Sequence, residues 1–314
     1  MSDFLGIDTS NYTTSAAIYE SSRNVLLQEK MLLPVKKGEK GIRQRDAVFH
    51  HTVQLPEITD RLFGEAKERD ISAIGVSYAP RRVQGSYMPC FLVGISAATV
   101  AARAISVPLY RFSHQEGHIA AALYSADRLE LLNEPFIAFH VSGGTTEAVL
   151  VKPDNEHIIN AEIVASSSDL KAGQAIDRVG VMLSLNFPAG PELEKLSEKS
   201  NAVFKIRPSM KNADCSLSGV ENKCKKMLSE NYEKSDIALF CIDSVIAALD
   251  GMYKALMPKY GSLPVVFSGG VTSNKRIRSY FHDKYNAIFA EPAFSADNAA
   301  GTAVLSSIMY DRRK

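Results

Sequence analysis

Pro135-Phe136-Ile137-Ala138-Phe139-His140-Val141-Ser142-Gly143-Gly144-Thr145-Thr146-Glu147-Ala148-Val149-Leu150-Val151 reads as a strand, a tip of serine, glycine and threonine, and a strand that returns. The same design opens the chain. Phe4-Leu5-Gly6-Ile7-Asp8-Thr9-Ser10 runs as an apolar strand into small polar residues, Asn11-Tyr12-Thr13-Thr14 turns, and Ser15-Ala16-Ala17-Ile18-Tyr19 returns. Either hairpin alone reads equally well as an ordinary polar turn. Together, one opening each half, they point to a duplicated α/β architecture with a nucleotide between the halves. Gly143 and Gly144 would let the backbone approach a phosphate closely, and Asp8, an acid at a strand end, could hold a magnesium ion or a water.

The 314 residues carry a net charge of +1 and are 46% hydrophobic. That length suits two domains or one two-lobed domain. The near-zero charge excludes a strong global pull toward nucleic acid or an anionic membrane, and leaves room for a local basic patch. Cys90, Cys215, Cys224 and Cys241 lack CxxC spacing, so they read as reduced thiols of a cytoplasmic protein rather than a disulfide frame or a zinc knuckle. The N-terminus lacks the pattern of a signal peptide, and no stretch approaches the roughly 18 apolar residues of a membrane span.

Between the hairpins, residues 46 to 67 read as a helix with Val48, Val53, Leu55, Ile58 and Leu62 as its apolar positions. A basic loop precedes it from Lys36 to Arg45 and reads as solvated, or as a contact for a polyanion. Residues 71 to 78 read as a strand, 79 to 89 as a loop bearing Arg81 and Arg82, 91 to 104 as a small-residue helix and 107 to 110 as a strand. That strand delivers Arg111-Phe112-Ser113-His114-Gln115-Glu116-Gly117-His118-Ile119-Ala120-Ala121-Ala122-Leu123, in which Ser113 stands where a helix N-cap would. His114 and His118 then share one helix face about 6 Å apart, a spacing at which two imidazoles can share a metal ion. The competing account is two polar residues at a helix start. Zinc-protease chemistry needs an acid directly after the first histidine. That place holds Gln115, and Glu116 is turned by roughly 200° from His114.

In the second half, Ser166 to Gly180 reads as a polar loop entering a helix, and Phe187-Pro188-Ala189-Gly190-Pro191 as a turn. Residues 236 to 257 read as a long amphipathic helix. Pro264-Val265-Val266-Phe267-Ser268-Gly269-Gly270-Val271-Thr272-Ser273-Asn274 is a buried strand with a Gly-Gly loop at its carboxyl end, where parallel α/β sheets bind ligands. Phe294 to Ala303 opens the last helix, with Asp297 near its start.

Taken in order, His114-x-Glu116-Gly117-His118, Val141 to Thr146, Gly173-Gln174-Ala175-Ile176-Asp177, Pro188 to Glu192, Ser268-Gly269-Gly270-Val271-x-x-Asn274 and Asp297-Asn298 resemble the TsaD/Gcp family. These are the tRNA threonylcarbamoyladenosine synthases, once described as O-sialoglycoprotein endopeptidases of peptidase family M22. The resemblance runs along nearly the whole chain. It implies the duplicated fold of actin, sugar kinases and heat-shock ATPases, with two lobes and a nucleotide cleft. The lobes are expected at residues 1–110 and 111–314, with the last helix, about 297–313, packing back on the first. It further implies one divalent metal, iron or zinc, held by His114, His118 and Asp297, with His140 as a fourth ligand; a core histidine with a satisfied hydrogen bond is the competing account of His140. Adenine nucleotide, ATP with magnesium or a carbamoyl-adenylate, is implied against His140, Val141, Ser142, Gly143, Gly144, Asp177, Gly190 and Asn274. The implied partners are tRNA and the proteins of a threonylcarbamoylation complex, without a membrane.

The departures fall at the chemistry. Where the family reads Gly-Ile-Glu-Thr-Ser-Cys-Asp-Glu-Thr, this chain has Gly6-Ile7-Asp8-Thr9-Ser10-Asn11-Tyr12-Thr13-Thr14, so Asp8 is the one acid left as a catalytic candidate. Ala79-Pro80-Arg81-Arg82 replaces a Gly-Pro-Gly-Leu loop, and Ala47 stands where histidine is usual. These changes mark a diverged member. Its expected activity is transfer of a threonylcarbamoyl or related carbamoyl group. The alternatives are a non-catalytic nucleotide-binding subunit and, less favoured, a metallopeptidase.

Overall fold

β1 (Asp3–Asp8) is buried at every residue, which a strand becomes only at the centre of a sheet covered on both faces. It pairs antiparallel with β2 (Thr13–Glu20), which pairs antiparallel with β3 (Val25–Leu32). On its other side it pairs in parallel with β4 (Ile71–Ala79), and β4 in parallel with β5 (Leu109–Ser113), giving the order β3-β2-β1-β4-β5. The helices of this half are α1 (Gln44–Glu65), α2 (Phe91–Ala104) and α3 (His114–Ser125). The second half repeats the plan. β6 (Phe136–Val141) pairs antiparallel with β7 (Thr146–Asp154), beside which lies β8 (Ile158–Ser166). After α4 (Ala172–Met182), α5 (Gly190–Ser197), the short pair β9 (Ser209–Lys211) and β10 (Asp214–Ser216), α6 (Ser218–Ser229) and α7 (Lys234–Tyr260), the chain returns to the sheet as β11 (Val265–Ser268). β11 is parallel to β6, and after α8 (Lys275–Tyr285), β12 (Ile288–Phe289) is parallel to β11; the order is β12-β11-β6-β7-β8. The chain ends in α9 (Ala300–Arg312). Both sheets therefore share one topology, the duplication that the two hairpins announced.

This computed structural model describes residues 2–10, 12–34, 42–65, 69–295 and 298–314. The chain forms two compact units, Met1–Glu134 with Lys152–Ala161 and Ala293–Lys314, and Pro135–Val151 with Glu162–Pro292. A boundary between 110 and 111 would cut β5, whose residues from Leu109 to Ser113 pair with β4, so the change of unit falls at Glu134/Pro135 instead. Among the described residues no helix is long and apolar enough to cross a membrane.

In the first unit, Leu5, Ile7, Ile18, Ile74 and Val76 meet Leu55, Ile58 and Leu62 of α1 and Ala98 and Ala102 of α2. Val53, read as an apolar position, is 56% exposed, because the buried stripe of α1 runs through Ala47, His51, Gln54, Leu55, Ile58 and Leu62. The other sheet face receives α9 at backbone contact. Gly6 and Gly75 are register partners on adjacent strands. A Cβ at Gly6 would lie 2.6 Å from the Ala299 carbonyl oxygen, and one at Gly75 would lie 2.8 Å from that of Thr302. The two glycines thus form a smooth strip that seats the helix. The second unit closes on a larger core in which Phe139 and Phe267 stack at 4.9 Å and α7 supplies Phe240, Val245, Leu249 and Met252.

Candidate functional site

β5 runs into α3 without a loop, and a capping box makes the corner. The Ser113 hydroxyl accepts the Glu116 N–H at 3.2 Å, and the Glu116 carboxylate accepts the Ser113 N–H at 2.5 Å. Arg82, its guanidinium 5.4 Å from the Tyr78 ring centroid, donates to both oxygens of Glu116 at 2.8 and 3.0 Å and to the Arg111 carbonyl at 3.1 Å. Arg82 is thus held by Glu116. Glu116, 1% exposed, is a structural acid at the helix start, in keeping with its orientation away from the place of a protease base.

With the corner set, His114 and His118 stack on one face as their spacing required, Nε2 to Nε2 at 2.9 Å. Behind them stands Asp8, at the carboxyl end of β1. Its Oδ2 lies 2.8 Å from His114 Nδ1 and accepts the Ser77 hydroxyl at 2.5 Å; its Oδ1 accepts the Ser10 N–H at 2.8 Å and the Ser10 hydroxyl. Asp8, Ser77 and His114 come from β1, β4 and the end of β5, three neighbouring parallel strands, so the group sits outside their carboxyl ends. Burial alone would push the Asp8 carboxyl up, but the charge and hydrogen bond of His114 and the hydroxyls of Ser10 and Ser77 hold it below its ordinary value. A serine in a strand, such as Ser77, carries no local signal along the sequence of a place in this group.

His114 and His118 supply two of the nitrogen donors that a divalent metal takes. A proton from His114 Nδ1 to Asp8 leaves the His114 Nε2 lone pair facing His118, the carboxylate–histidine arrangement that orients metal ligands. Across a tetrahedral ion with bonds of about 2.0 Å, two nitrogens stand about 3.3 Å apart, a small opening from the geometry present. Asp297 lies outside the described residues. His140 belongs to the second unit, on β6, with Nδ1 3.1 Å from the Ser268 hydroxyl of its paired strand. Among the described residues no three His, Cys, Asp or Glu side chains form a metal cluster.

All the expected nucleotide residues fall in the second unit, on loops at the carboxyl ends of β6 and β11 and on the helices behind them. Val141 is buried, and the Ser142 hydroxyl accepts the N–H groups of Gly144 and Thr145 at 3.3 and 3.1 Å. Gly143 and Gly144 face open space, where a Cβ would meet nothing within 4 Å. Gly173 in the first turn of α4 lets this turn press close, since a Cβ there would lie 2.7 Å from Gly143 Cα. Gly269, with φ of 99°, brings the second loop against Val141, where only a glycine fits. Asp177 accepts the Ala189 N–H at 2.8 Å, just before Gly190 starts α5. Asn274 caps α8, its Oδ1 accepting the Ile277 N–H at 3.1 Å. Asp177 and Asn274 thus hold their loops in shape.

Asp169 ties the loop before α4 to the start of α6. Burial pushes its carboxyl up, but the hydroxyls of Ser216 and Ser218 and the N–H groups of Leu217 and Leu170 outweigh that and hold it well below the 3.8 of a free aspartate. A carboxyl lowered by folding stabilises fully above about pH 4, and that contribution is lost as pH falls through the folded value. Because Asp169 is exposed, its share is about 1 kcal/mol. Asp169→Asn is expected to lower stability by about that amount at pH 7 and to flatten its fall between about pH 4 and about pH 2, read by urea unfolding.

Residues 25–304 match the family model described as tRNA N6-adenosine threonylcarbamoyltransferase. A protein of that description from Lactobacillus gasseri is 30% identical over 99% of this chain and 91% of its own. Component A of (R)-2-hydroxyglutaryl-CoA dehydratase from Acidaminococcus fermentans is similar in structure, with a TM-score of 0.56 and 16% identity over 99% of this chain and 100% of that one. Full-length HypF in its phosphate- and nucleotide-bound form has a TM-score of 0.58 and 12% identity over 99% of this chain and 46% of that one. The fold they share with this chain is that of the actin-like ATPases.

Proposed function

The chain belongs to the tRNA N6-adenosine threonylcarbamoyltransferase family, and on that premise we propose that it moves a threonylcarbamoyl group from a carbamoyl-adenylate to the N6 amine of adenosine in tRNA. The observation that supports the reading is the relay from Asp8 through His114 to His118, which presents imidazole nitrogens to a common point. His114 and His118, with Asp297, would hold one divalent ion, iron or zinc. Once bound, such an ion supplies a Lewis acid that polarises the carbamoyl carbonyl. Asp8 holds His114 in the right tautomer, and Ser10 and Ser77 hold Asp8. The backbone donors of the Gly143-Gly144 and Gly269-Gly270 turns suit the phosphate that leaves with AMP. Asp177 suits ribose hydroxyls, the Asn274 amide suits a polar ligand edge, and His140, Val141, Ser142 and Gly190 line the same loops. In the transfer the amine nitrogen bonds to the carbamoyl carbon as the bond from that carbon to the phosphate oxygen breaks, releasing AMP and a proton.

The test is modified-nucleoside analysis. Added to the partner proteins of a threonylcarbamoylation complex that lack their own synthase subunit, this protein should restore threonylcarbamoyladenosine in tRNA. If no product forms while metal and adenylate still bind, tRNA transfer is wrong and transfer of a related carbamoyl group to another amine is left.

A further inference from the structure

Four cations gather at one end of the first unit. Arg103 in the last turn of α2, Arg111 on the edge strand β5, and Arg313 and Lys314 after α9 line one recess of about 610 Å³ with Tyr110 and Tyr310. Among the described residues no aspartate or glutamate lines it. The Arg313 guanidinium lies 5.4 Å from the Tyr110 ring centroid, and Lys314 Nζ lies 4.5 Å from that of Tyr310. Ring faces hold a cation in place without neutralising it. Tyr110 is 7% exposed, so it is a support for Arg313 and not a stacking platform. The carboxyl ends of α2 and α9 account for cations near them through the helix dipole. They do not account for Arg111, which projects from a strand. Two other arginines of this unit meet carboxylates: Arg82 on Glu116, and Arg69 on Asp3 and Glu20. Here it keeps four charges together in a protein of net charge +1. A recess with unpaired cations and no carboxylate selects multiply charged anions, and a row of such cations suits phosphates linked in a chain.

We propose that this recess binds the phosphodiester backbone of RNA, which rests on the reading of the acceptor as tRNA. The ends of α2 and α9 place the recess toward the amino ends of β1 and β4, with Tyr310 beside Phe4, so it is a contact for the RNA backbone away from the histidine pair.

The probe is an end-labelled, unmodified tRNA transcript, its affinity for the full chain followed by fluorescence anisotropy from 50 to 200 mM salt. The triple variant Arg103→Ser, Arg111→Ser, Arg313→Ser should bind at least about tenfold more weakly and lose about 2 to 3 from the slope of log affinity against log salt. If the triple variant fails to fold, as judged by its melting curve, Arg111→Ser alone should still lose about 1 from that slope. Unchanged affinity and slope overturn the proposal, as does a wild type that does not bind the transcript. If the variant keeps tRNA affinity but loses binding of inorganic phosphate, or of phosphatidylserine vesicles, the recess serves a small anion or a membrane surface and the proposal is wrong. Product formation separates the two ideas. Normal threonylcarbamoyladenosine from the triple variant with unchanged tRNA affinity removes the recess and leaves the reaction. Salt-sensitive tRNA binding through the recess without product removes the reaction and leaves the recess.

Discussion

His118→Ala is expected to yield protein without its divalent metal and to lower threonylcarbamoyladenosine formation by about 100-fold or more, while adenylate affinity stays near that of wild type. The two ε-nitrogens face each other at 2.9 Å, and truncating one leaves a single imidazole where a shared ion needs at least two. The loops proposed to take the nucleotide belong to the other unit, so adenylate affinity is the internal control. Asp8→Asn should act in the same direction but more weakly, by about 10- to 100-fold in metal affinity. The asparagine oxygen can still accept from His114 Nδ1, but the negative charge that makes the imidazole a better ligand is gone. Metal content of wild type, His118→Ala and Asp8→Asn by elemental analysis, beside adenylate titration, checks both. Stoichiometric metal in His118→Ala would sink the assignment. Metal-free wild type that still binds adenylate would move the protein to the non-catalytic reading.

Gly301→Ala should lower stability by about 3 kcal/mol, roughly 6 to 12 °C in melting temperature, and cut activity with it. A methyl at this position of α9 would stand 1.9 Å from the Gly117 carbonyl oxygen and 2.7 Å from the Ala121 nitrogen of α3. Both are backbone atoms, so no rotamer change relieves the clash and one helix must move. α3 bears both histidines, and its other neighbours are already tight: a Cβ at Gly117 would lie 3.1 Å from Thr302 Oγ1. Displacing it therefore disturbs the 2.8 Å link between His114 and Asp8. Gly219→Ala is the contrast. It lies in α6 with nothing within 4 Å of an added Cβ, and should change stability by no more than about 1 kcal/mol. Equal melting temperatures for wild type and Gly301→Ala would show that the two helices are not packed at backbone contact.

The elements that were readable in advance are those whose causes are local. Apolar runs and the small polar tips marked both hairpins, and their repetition announced two sheets of one topology. Ser113 was readable as a cap because a cap needs only its own helix, and the histidine pair followed from the helical period. Everything that joins distant residues depended on register. Asp8 meets His114 across 106 positions only because β1, β4 and β5 run parallel as neighbours. Ser77 enters the site for the same reason, and no pattern along the chain marks it. Val53 fitted the apolar count of its helix and still faces outward, since burial depends on where the sheet lies. The change of unit at Glu134, not at 110, follows from β5 pairing with β4. Periodicity and capping are properties of a few neighbouring residues and are written in the order of side chains. Which carboxylate meets which imidazole is set by strand order and register, which are determined when the whole sheet packs.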